Sequence, residues 1–335
     1  YGPPKIKNMN NLDILGVGNA LVDETFYIKE DLVRKTNLNF NQFKQISYSE
    51  QQEIKSLLGN QVPEIVCGGS TTNSLVAASN FGSKCGHICQ LGRDSLGDLY
   101  EQNLKENNIE VINSLRLDEI NTGRCLVLIS PNSERTMGTY LGASENLQFS
   151  KDFLVALTKS KILFSEGYQF TSNQNYDVFL QILKMANHKI DFALSLSDPN
   201  VVNIFKDRFL EVLKIKQAKY LFCNKDEAIA LTGENFKNEL PKYAQNFVVT
   251  DGANESFIFE DGKSSNLKAY KVDAIDSNGA GDIFAGGCLH AIISGEDFHE
   301  SCNFGNYASS QIVQERSPRL TQDGYIKLKE NYLEL

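Results

Sequence analysis

The stretch 276–282 contains the residue types and the spacing best suited to chemistry in this chain. It reads Asp-Ser-Asn-Gly-Ala-Gly-Asp, and apolar residues at helical spacing follow it. This order predicts a loop that runs into a helix N-terminus, where the first backbone N–H groups lack partners and the helix dipole is positive. Side chains as small as those of Gly279, Ala280 and Gly281 let an anion approach the backbone closely. We therefore expect this loop to bind a phosphate.

Asp282 places a carboxylate where that anion would bind. A carboxylate beside a phosphate site indicates phosphoryl transfer to a hydroxyl group. Asp282 would accept the hydroxyl proton, and the loop amides would stabilise charge on the transferred group. In the alternative interpretation, Asp282 only complements the helix dipole and the glycines only close a turn.

A second glycine turn lies at 67–78, where the chain reads Cys-Gly-Gly-Ser-Thr-Thr-Asn-Ser-Leu-Val-Ala-Ala. It also predicts a turn that opens a helix. Its backbone amides and the Asn73 side chain suit the hydroxyls of a polyol better than a phosphate, because no Lys or Arg lies nearby in the sequence. Ordinary capping of the helix by Ser70 or Thr71 is the alternative.

Asn224 and Glu227 follow a predicted strand at 219–223. Ligands of open α/β sheets bind at the carboxyl ends of the strands. Because the two residues are three positions apart, they share one helical face and could both reach a hydrated Mg²⁺ beside nucleotide phosphates. Capping by Asn224 explains the same pair equally well.

The segment 122–140 has the β character of a hairpin with a turn at 130–133. Arg135, just after the turn, is either a solvated strand residue or a side chain that closes over a phosphate. Elsewhere, Gly16 and Gly18 end a short apolar strand. A dinucleotide-binding oxidoreductase would use such a turn, but the third glycine of that pattern is missing and no clear helix follows.

The composition limits the classes of protein to which this chain can belong. The chain has 335 residues, of which 41% are hydrophobic and 22% charged, as expected for a globular protein. A net charge of −9 argues against binding to nucleic acid or to an anionic membrane surface. No apolar run approaches the roughly 20 residues that span a bilayer. Seven cysteines without a C-x-x-C pair indicate reduced, buried thiols and a cytoplasmic location.

From 150 onward, predicted strands alternate with helices, which indicates crossover units and a mostly parallel sheet. We predict a three-layer α/β/α core (9–20, 49–112 and 144–335) and a small β-strand lid (21–48 and 113–143). The predicted strands include 26–28, 45–48, 162–165, 190–196, 219–223, 247–250, 256–259 and 267–272, and the later helices are 151–159, 174–187, 201–214, 225–231, 279–294 and 299–315.

The stretch 276–282 resembles the second signature of the ribokinase-like (PfkB) carbohydrate kinases, usually Asp-Thr-x-Gly-Ala-Gly-Asp, with Ser277 in place of Thr. The turn at 67–78 resembles the first signature region in its adenosine kinase form, Gly-Gly-Ser-x-x-Asn. The tetrapeptide 224–227 resembles the family's Asn-x-x-Glu motif. These pieces occur in family order over about 13–315. Within the family the chain looks most similar to the adenosine kinase branch, through 18–23, Gln45, 68–73, 122–125 and 304–309.

The resemblance implies a ribokinase-like fold and a kinase that uses ATP and Mg²⁺, with activation by a monovalent cation such as K⁺ as an option. The implied acceptor is a nucleoside such as adenosine, or secondly ribose or another furanose. A non-catalytic binding protein is a further alternative, and the assembled state would be a monomer or homodimer.

The resemblance also implies a role for each matching residue. Asp282 would be the base, and the anion hole would consist of Gly279, Ala280 and Gly281. The residues that would bind acceptor hydroxyls are Asn19, Asp23, Gly68, Gly69 and Asn73, and those near the base of a nucleoside are Gln45, Cys125, Tyr168 and Asn278. The residues that would hold the nucleotide are Asn224, Thr250, Gly252, Gly279, Gly281 and Asn306. Asn224 and Glu227 would bind Mg²⁺ through water, and Asp276 would bind a monovalent cation. Arg135, if it closes over the phosphate, would be a further catalytic residue.

Two positions depart from the family pattern. Gln169 stands where adenosine kinases have a Phe beside the purine, and Glu255 stands where a glycine usually follows the strand end at Thr250. The nucleoside interpretation depends on which side chains bury the purine. The candidates are Gln45, Tyr48, Cys125, Leu141, Tyr168, Gln169 and Phe170.

Overall fold

The computed structural model describes residues 9–113, 115–132, 134–186, 188–274 and 279–335. None of the helices in these ranges is long and apolar enough to cross a bilayer. The strands are β1 (Leu12–Val17), β2 (Leu21–Tyr27), β3 (Phe43–Gln45), β4 (Glu64–Gly68), β5 (Cys85–Ile88), β6 (Leu91–Gly92), β7 (Ile109–Val111), β8 (Arg116–Leu117), β9 (Gly123–Ile129), β10 (Arg135–Tyr140), β11 (Ser160–Glu166), β12 (Asp191–Ser195), β13 (Ala218–Asn224), β14 (Ala244–Thr250), β15 (Ser256–Glu260) and β16 (Lys263–Leu267). The helices are α1 (Glu30–Arg34), α2 (Tyr48–Leu58), α3 (Ser70–Phe81), α4 (Ser95–Glu106), α5 (Asp152–Lys159), α6 (Asn173–Met185), α7 (Pro199–Ile215), α8 (Lys225–Thr232), α9 (Phe236–Glu239), α10 (Ala280–Ile293), α11 (Phe298–Ile312) and α12 (Gln322–Leu333).

The main sheet has the strand order β16-β15-β14-β13-β12-β11-β1-β5-β7. Neighbours from β14 to β7 pair in parallel, and β15 and β16 pair antiparallel at one edge. One apolar cluster joins this sheet to α3, α10 and α11 and includes Phe284 and Phe304. A second cluster joins it to α5–α8 and includes Phe153, Phe179 and Phe209. The predicted three-layer α/β/α core with a mostly parallel sheet is thus confirmed.

The second sheet has the order β3-β10-β9-β2-β4, and we call this sheet with α1 and α2 the lid. One face of the sheet packs on the two helices through a separate apolar cluster that includes Phe26, Ile54 and Leu128. The structure differs here from the predicted division of the chain, which placed all of 49–112 in the core. Helix α2 packs on the lid, and β4 pairs antiparallel with β2 before the chain enters the core at α3.

Two predicted strands are shifted by turn chemistry. A hairpin pairs Glu260 with Lys263, and its two turn residues Asp261 and Gly262 have φ values of 45° and 85°. An Asp-Gly turn of this kind fixes the register of the following strand, so the last strand is β16 at Lys263–Leu267 and not 267–272. The predicted strand 45–48 ends at Gln45, because Ser47 caps α2 in a reciprocal capping box.

The glycines at the end of β1 serve packing. The chain continues from them into strand β2, where a dinucleotide-binding fold would have a helix. A side chain at Gly16 would meet Leu75 Cδ1 at 2.5 Å, and one at Gly18 would meet Thr71 Cβ at 2.5 Å. These glycines let α3 approach the sheet, and the oxidoreductase alternative is wrong.

Candidate active site

Helices α3 and α10 cross at close range, and this crossing assembles the site. At Gly286 an added Cβ would lie 2.3 Å from the Ser74 carbonyl oxygen, so only glycine permits the approach. Each helix begins directly after a glycine. The crossing brings Ser70, in the first turn of α3, into hydrogen-bonding contact with Asp282, in the first turn of α10.

Asp282 is oriented by helix α3. Ser70 Oγ donates to Oδ1 at 2.5 Å, and Asn73 Nδ2 donates to Oδ2 at 3.1 Å. Burial raises the pKa of the Asp282 carboxyl, whereas these two hydrogen bonds and the charge of Arg319 lower it. A carboxylate that is fixed in place and made more basic by burial suits a proton acceptor. The N-cap residue of α3 is Gly69, and α3 has no side-chain cap. The predicted alternative, in which Ser70 caps α3, therefore does not hold, and the Ser70 hydroxyl contacts Asp282 instead.

The anion loop is described from Gly279 onward, and the predicted contacts of Asp276 and Asn278 lie outside the described residues. Gly279 has a φ of 80°, and a side chain there would meet Pro318 Cβ at 2.6 Å. At Gly281, by contrast, an added Cβ meets no atom within 4 Å. The first turn of α10 therefore has open space beside its free N–H groups, as an anion site requires.

A row of polar side chains crosses the lid sheet. The strand register places Gln45, Thr139, Cys125 and Asp23 side by side on β3, β10, β9 and β2. Residues in such a row share one face of the sheet, and Thr139 Oγ1 donates to Cys125 Sγ at 3.1 Å. Three residues predicted to contact the acceptor, Gln45, Cys125 and Asp23, are thus brought together.

Asp23 combines burial with two nearby cations. Burial raises the pKa of its carboxyl to about 6, and the charges of Arg319 and Arg135 act against this rise. Gly68 leaves room for the carboxylate, since a side chain at that position would meet Asp23 Oδ2 at 2.9 Å. The charge of Arg135 therefore reaches Asp23, one of the predicted acceptor residues, which would not be expected of a strand residue that faces only solvent.

Asn19 belongs to a buried network behind the acceptor residues. Its backbone N–H donates to Glu166 Oε1 at 3.3 Å, and the Thr71 N–H donates to Oε2 at 3.0 Å. Gln169 Nε2 donates to Asn19 Oδ1 at 2.6 Å. The pKa of the Glu166 carboxyl is raised to about 7, mainly by burial and also by the charge of Asp282, against the hydrogen bonds from Asn19, Thr71 and Ser70, which lower it. The oxygen of the Asn19 side chain is therefore already engaged within the protein.

Some predicted base contacts are misplaced. Phe170 is fully buried and packs against Phe209 with ring centroids 4.9 Å apart, so it belongs to the core. Gln169 is only 1% exposed. Tyr48 packs on Tyr140. Because neighbouring residues of a strand point to opposite faces of a sheet, Tyr140 points away from the face that carries Thr139 and the row of Gln45, Cys125 and Asp23. These three positions were predicted from order along the chain, which does not show which way a side chain points.

Tyr168 is half-buried near four carboxylates. Burial is the largest cause that raises the pKa of its phenol, and the charges of Asp198, Glu166, Asp282 and Glu227 add to it. The phenol therefore stays protonated and can donate a hydrogen bond.

On the side predicted to bind nucleotide, Asn224 and Glu227 form a reciprocal capping box at the start of α8. Glu227 N donates to Asn224 Oδ1 at 2.8 Å, and Asn224 N donates to Glu227 Oε1 at 3.0 Å. The strand register puts Asn224 beside Thr250. Gly252 follows with a φ of 57° and open space beside its Cα. Asn306 lies on α11 and donates to the Lys268 carbonyl at 2.9 Å.

The carboxylates near Glu227 suit a hydrated cation. The pKa of the Glu227 carboxyl is raised to about 7, mainly by burial and also by the charges of Asp198, Asp226 and Asp282, against the hydrogen bond from the Asn224 N–H, which lowers it. Carboxylates crowded in this way favour a bound divalent ion. Among the described residues there is no group of three His, Cys, Asp or Glu side chains that could hold a metal directly. The side-chain oxygens of Asn224 and Glu227 are of the kind that Mg²⁺ prefers, so these two residues could contact such an ion through its water molecules.

Two charged residues of the site were not predicted. Glu166 is the last residue of β11. Nothing in the neighbouring sequence distinguishes a buried carboxylate at a strand end from an exposed one, so its burial could not be predicted. Arg319 lies in the loop after α11 and belongs to none of the motifs in the sequence, yet its Nε donates to Asn73 Oδ1 at 2.9 Å. A signal for it would have needed the contact between that loop and α3, which only the fold provides.

Comparisons with known proteins find similar chains among sugar and nucleoside kinases. The family model of the pfkB family carbohydrate kinases matches residues 43–323. The ribokinase of Haemophilus influenzae is 26% identical over 272 residues, which cover 77% of this chain and 85% of that protein. Adenosine kinase 1 of Arabidopsis thaliana is 24% identical over 336 residues, which cover 90% of this chain and 94% of that protein.

Solved structures share the fold. A probable sugar kinase protein from Rhizobium etli aligns with a TM-score of 0.83 and 23% identity, covering 97% of this chain and all of the other. The adenosine kinase from Sinorhizobium meliloti aligns with a TM-score of 0.82 and 22% identity, covering 96% of this chain and 99% of the other. With the match of the family model, the chain belongs to the pfkB family carbohydrate kinases and is a phosphotransferase with a hydroxyl acceptor.

Proposed function

We propose that this chain transfers the γ-phosphate of ATP to the primary hydroxyl of a ribofuranosyl substrate, with adenosine as the preferred acceptor. The observation that carries the proposal is the Asp282 carboxylate, which Ser70 and Asn73 hold beside the open first turn of α10 at Gly281. A base next to an anion site is the arrangement that phosphoryl transfer to a hydroxyl needs.

Asp282 takes the proton of the acceptor hydroxyl. At the same time the oxygen of that hydroxyl bonds to the γ-phosphorus, and the bond between this phosphorus and the leaving ADP breaks. Ser70 and Asn73 keep the carboxylate oriented during this step. The free N–H groups in the first turn of α10 stabilise the oxygens of the transferred group, and Arg135 adds positive charge. ATP supplies the phosphoryl group, and Mg²⁺ neutralises part of its charge when both are bound.

The acceptor is held by Asp23 and Asn73, which offer a carboxylate and an amide to the vicinal hydroxyls of a ribose. Gly68 gives the Asp23 carboxylate the space to face this pocket. A nucleoside base would lie against Cys125 and Tyr168. Burial of apolar area contributes on the order of 25 cal/mol per Å², so burial of the base favours a nucleoside over a free sugar by about a few kcal/mol.

The nucleotide is held at the carboxyl ends of β13 and β14. Thr250 and Gly252 would contact it, Asn224 and Glu227 would bind Mg²⁺ through water, and Asn306 on α11 would complete the pocket. A monovalent cation near Asp276 remains an expectation from the family resemblance.

A free furanose sugar is the second candidate, and one observation favours it. Beneath the acceptor residues lies a polar network in which Gln169 and Asn175 both contact Asn19 Oδ1. A purine is best held by flat apolar surfaces, whereas a polyol gains from such polar surroundings.

ATP turnover against a panel of acceptors tests the proposal. Purified chain, ATP and Mg²⁺ are combined with adenosine, guanosine, ribose or fructose, and the phosphorylated product is identified by mass spectrometry. We expect AMP from adenosine at the highest rate. Phosphorylation of a sugar alone would overturn the nucleoside preference and retain the kinase. Absence of a phosphorylated product from every acceptor would overturn the proposed set of substrates.

A further inference from the structure

Arg319 connects the loop after α11 to three elements around the acceptor pocket. Its Nε donates to Asn73 Oδ1 on α3 at 2.9 Å, and its Nη1 donates to Asn103 Oδ1 on α4 at 2.9 Å. Its Nη2 donates to the carbonyl of Cys67 in strand β4 of the lid. The planar guanidinium therefore fixes the relative positions of the lid edge and two core helices.

The bond to Asn73 decides which way its amide points. A side-chain amide has an acceptor end and a donor end, and either end can face a neighbour. Because Arg319 occupies the oxygen of Asn73, the nitrogen faces Asp282 and donates to it at 3.1 Å. With the amide reversed, its oxygen would face the carboxylate and repel it.

The charge of Arg319 acts on both functional carboxylates. It lowers the pKa of Asp23 and of Asp282, against the rise that burial causes. Other charged groups around the two carboxylates are coupled to them. Arg135 on β10 also lowers the pKa of Asp23, and the charge of Asp282 raises the pKa of Glu166 at the end of β11 and of Glu227 on α8.

The neighbouring residue of the same loop contacts the anion loop. Pro318 packs so closely on Gly279 that an added Cβ there would lie 2.6 Å from Pro318 Cβ. The loop that carries Arg319 thus contacts both the predicted phosphate site, at Gly279, and the acceptor residue Asn73.

We propose that Arg319 is a positioning residue for phosphoryl transfer, which holds the Asn73 amide toward Asp282 and fixes β4 to α3 and α4 behind the acceptor pocket. This inference rests on the proposed function, since Asn73 and Asp282 act there on the acceptor. Arg319 acts through these two residues and takes no part in bond making or breaking.

Two variants separate its hydrogen bonds from its charge. Arg319→Lys keeps the charge and loses the planar fork, and Arg319→Met loses both. Arg316→Met is the matched control, because Arg316 is an exposed arginine of the same loop. The readouts are the KM of adenosine and of ATP, the pH profile of kcat/KM, and backbone hydrogen exchange over 64–75.

Both Arg319 variants should raise the KM of adenosine about tenfold, as expected for loss of a hydrogen bond from a charged group, while the KM of ATP stays unchanged. Arg319→Met should also move the acid limb of kcat/KM to higher pH, because both carboxyls lose a cation that lowers their pKa. Arg319→Lys should keep the wild-type acid limb. Exchange over 64–75 should rise in both variants, and Arg316→Met should match wild type in every readout.

Wild-type kinetics and wild-type exchange in Arg319→Met would overturn the positioning role. So would equal effects of Arg316→Met and Arg319→Met. If the wild-type chain phosphorylates none of the acceptors, the proposed function fails by itself, and the exchange readout still decides whether Arg319 fixes β4 and α3. Increased exchange supports that role, and unchanged exchange overturns it.

Discussion

Asn73 donates a hydrogen bond to the Asp282 carboxylate at 3.1 Å, although 209 positions separate the two residues in the chain. The close crossing of α3 and α10 at Gly286 makes this contact possible. The proposed base and a proposed acceptor-binding residue therefore form one hydrogen-bonded unit. Changes in either residue are expected to affect both acceptor binding and proton transfer.

The change Asp282→Asn tests the base. The Asn oxygen can still accept a hydrogen bond from Ser70, but the amide cannot take up a proton, so turnover should fall roughly 10²–10⁴-fold. Initial rates with ATP and adenosine measure the loss, and the thermal midpoint shows that the variant folds. Asp323→Asn is the matched control, since Asp323 is an exposed carboxylate in the first turn of α12. Retention of more than about a tenth of the turnover by Asp282→Asn would remove Asp282 as the base.

Gly281→Ala separates stability from activity in the anion loop. An added methyl group meets no atom of the protein within 4 Å, and Ala is favoured over Gly within a helix by about 1 kcal/mol. Stability should therefore stay equal or rise, while ATP turnover falls by about tenfold or more because the methyl group occupies the anion space. Thermal unfolding and initial rates measure the two effects.

Gly279→Ala is the comparison for that variant. The new side chain would collide with Pro318 at a residue with positive φ, and it should destabilise the fold by about 1–3 kcal/mol. Full activity in Gly281→Ala would argue that no anion binds at the first turn of α10.

Asp23→Asn should stabilise the protein in a manner that depends on pH. The pKa of Asp23 is raised from 3.8 to about 6 in the folded chain, so the native state binds more protons than the unfolded state between these values. Stability is therefore lost as the pH rises through this window, and the full cost of the buried charge is present above it. The variant should raise the thermal midpoint more at pH 8 than at pH 4. Equal shifts at both pH values would show that the carboxyl titrates normally.

2′-Deoxyadenosine tests what Asp23 binds. This acceptor lacks one of the two vicinal hydroxyls, which leaves the Asp23 charge without its partner and should lower kcat/KM about tenfold or more. In Asp23→Asn the difference between adenosine and 2′-deoxyadenosine should narrow, because no charge is left unpaired. An unchanged ratio in the variant would place the 2′-hydroxyl elsewhere.

The core could be predicted where burial leaves a clear pattern. Strands Ser160–Glu166 and Ala218–Asn224 each contain an uninterrupted apolar stretch, 162–164 and 220–223, because a parallel sheet is covered on both faces. Helix α12 was not predicted, since Tyr325 and Leu328 are its buried residues and its other aliphatic residues, Ile326 and Leu333, are exposed, which blurs the helical pattern. Strand β16 was misplaced because its residues are mostly exposed and the Asp-Gly turn at 261–262, which sets its register, was overlooked.

The candidate site was predictable where a local motif carries it. The backbone positions of Gly69 and Gly279 and the carboxylate of Asp282 follow from loops that open helices. Arg319 and Glu166 depend on contacts between distant segments, which leave no local pattern. Phe170 shows the opposite error, because an aromatic residue next to a site can as well belong to the core as to the pocket.

The most direct test of the proposed function is a competition between adenosine and ribose in one reaction. With both acceptors at equal concentration and a limiting amount of ATP, the ratio of AMP to ribose phosphate gives the ratio of the two kcat/KM values. We predict at least about tenfold more AMP, which corresponds to about 1.4 kcal/mol in transition-state binding. Equal amounts, or more ribose phosphate than AMP, would contradict the nucleoside acceptor.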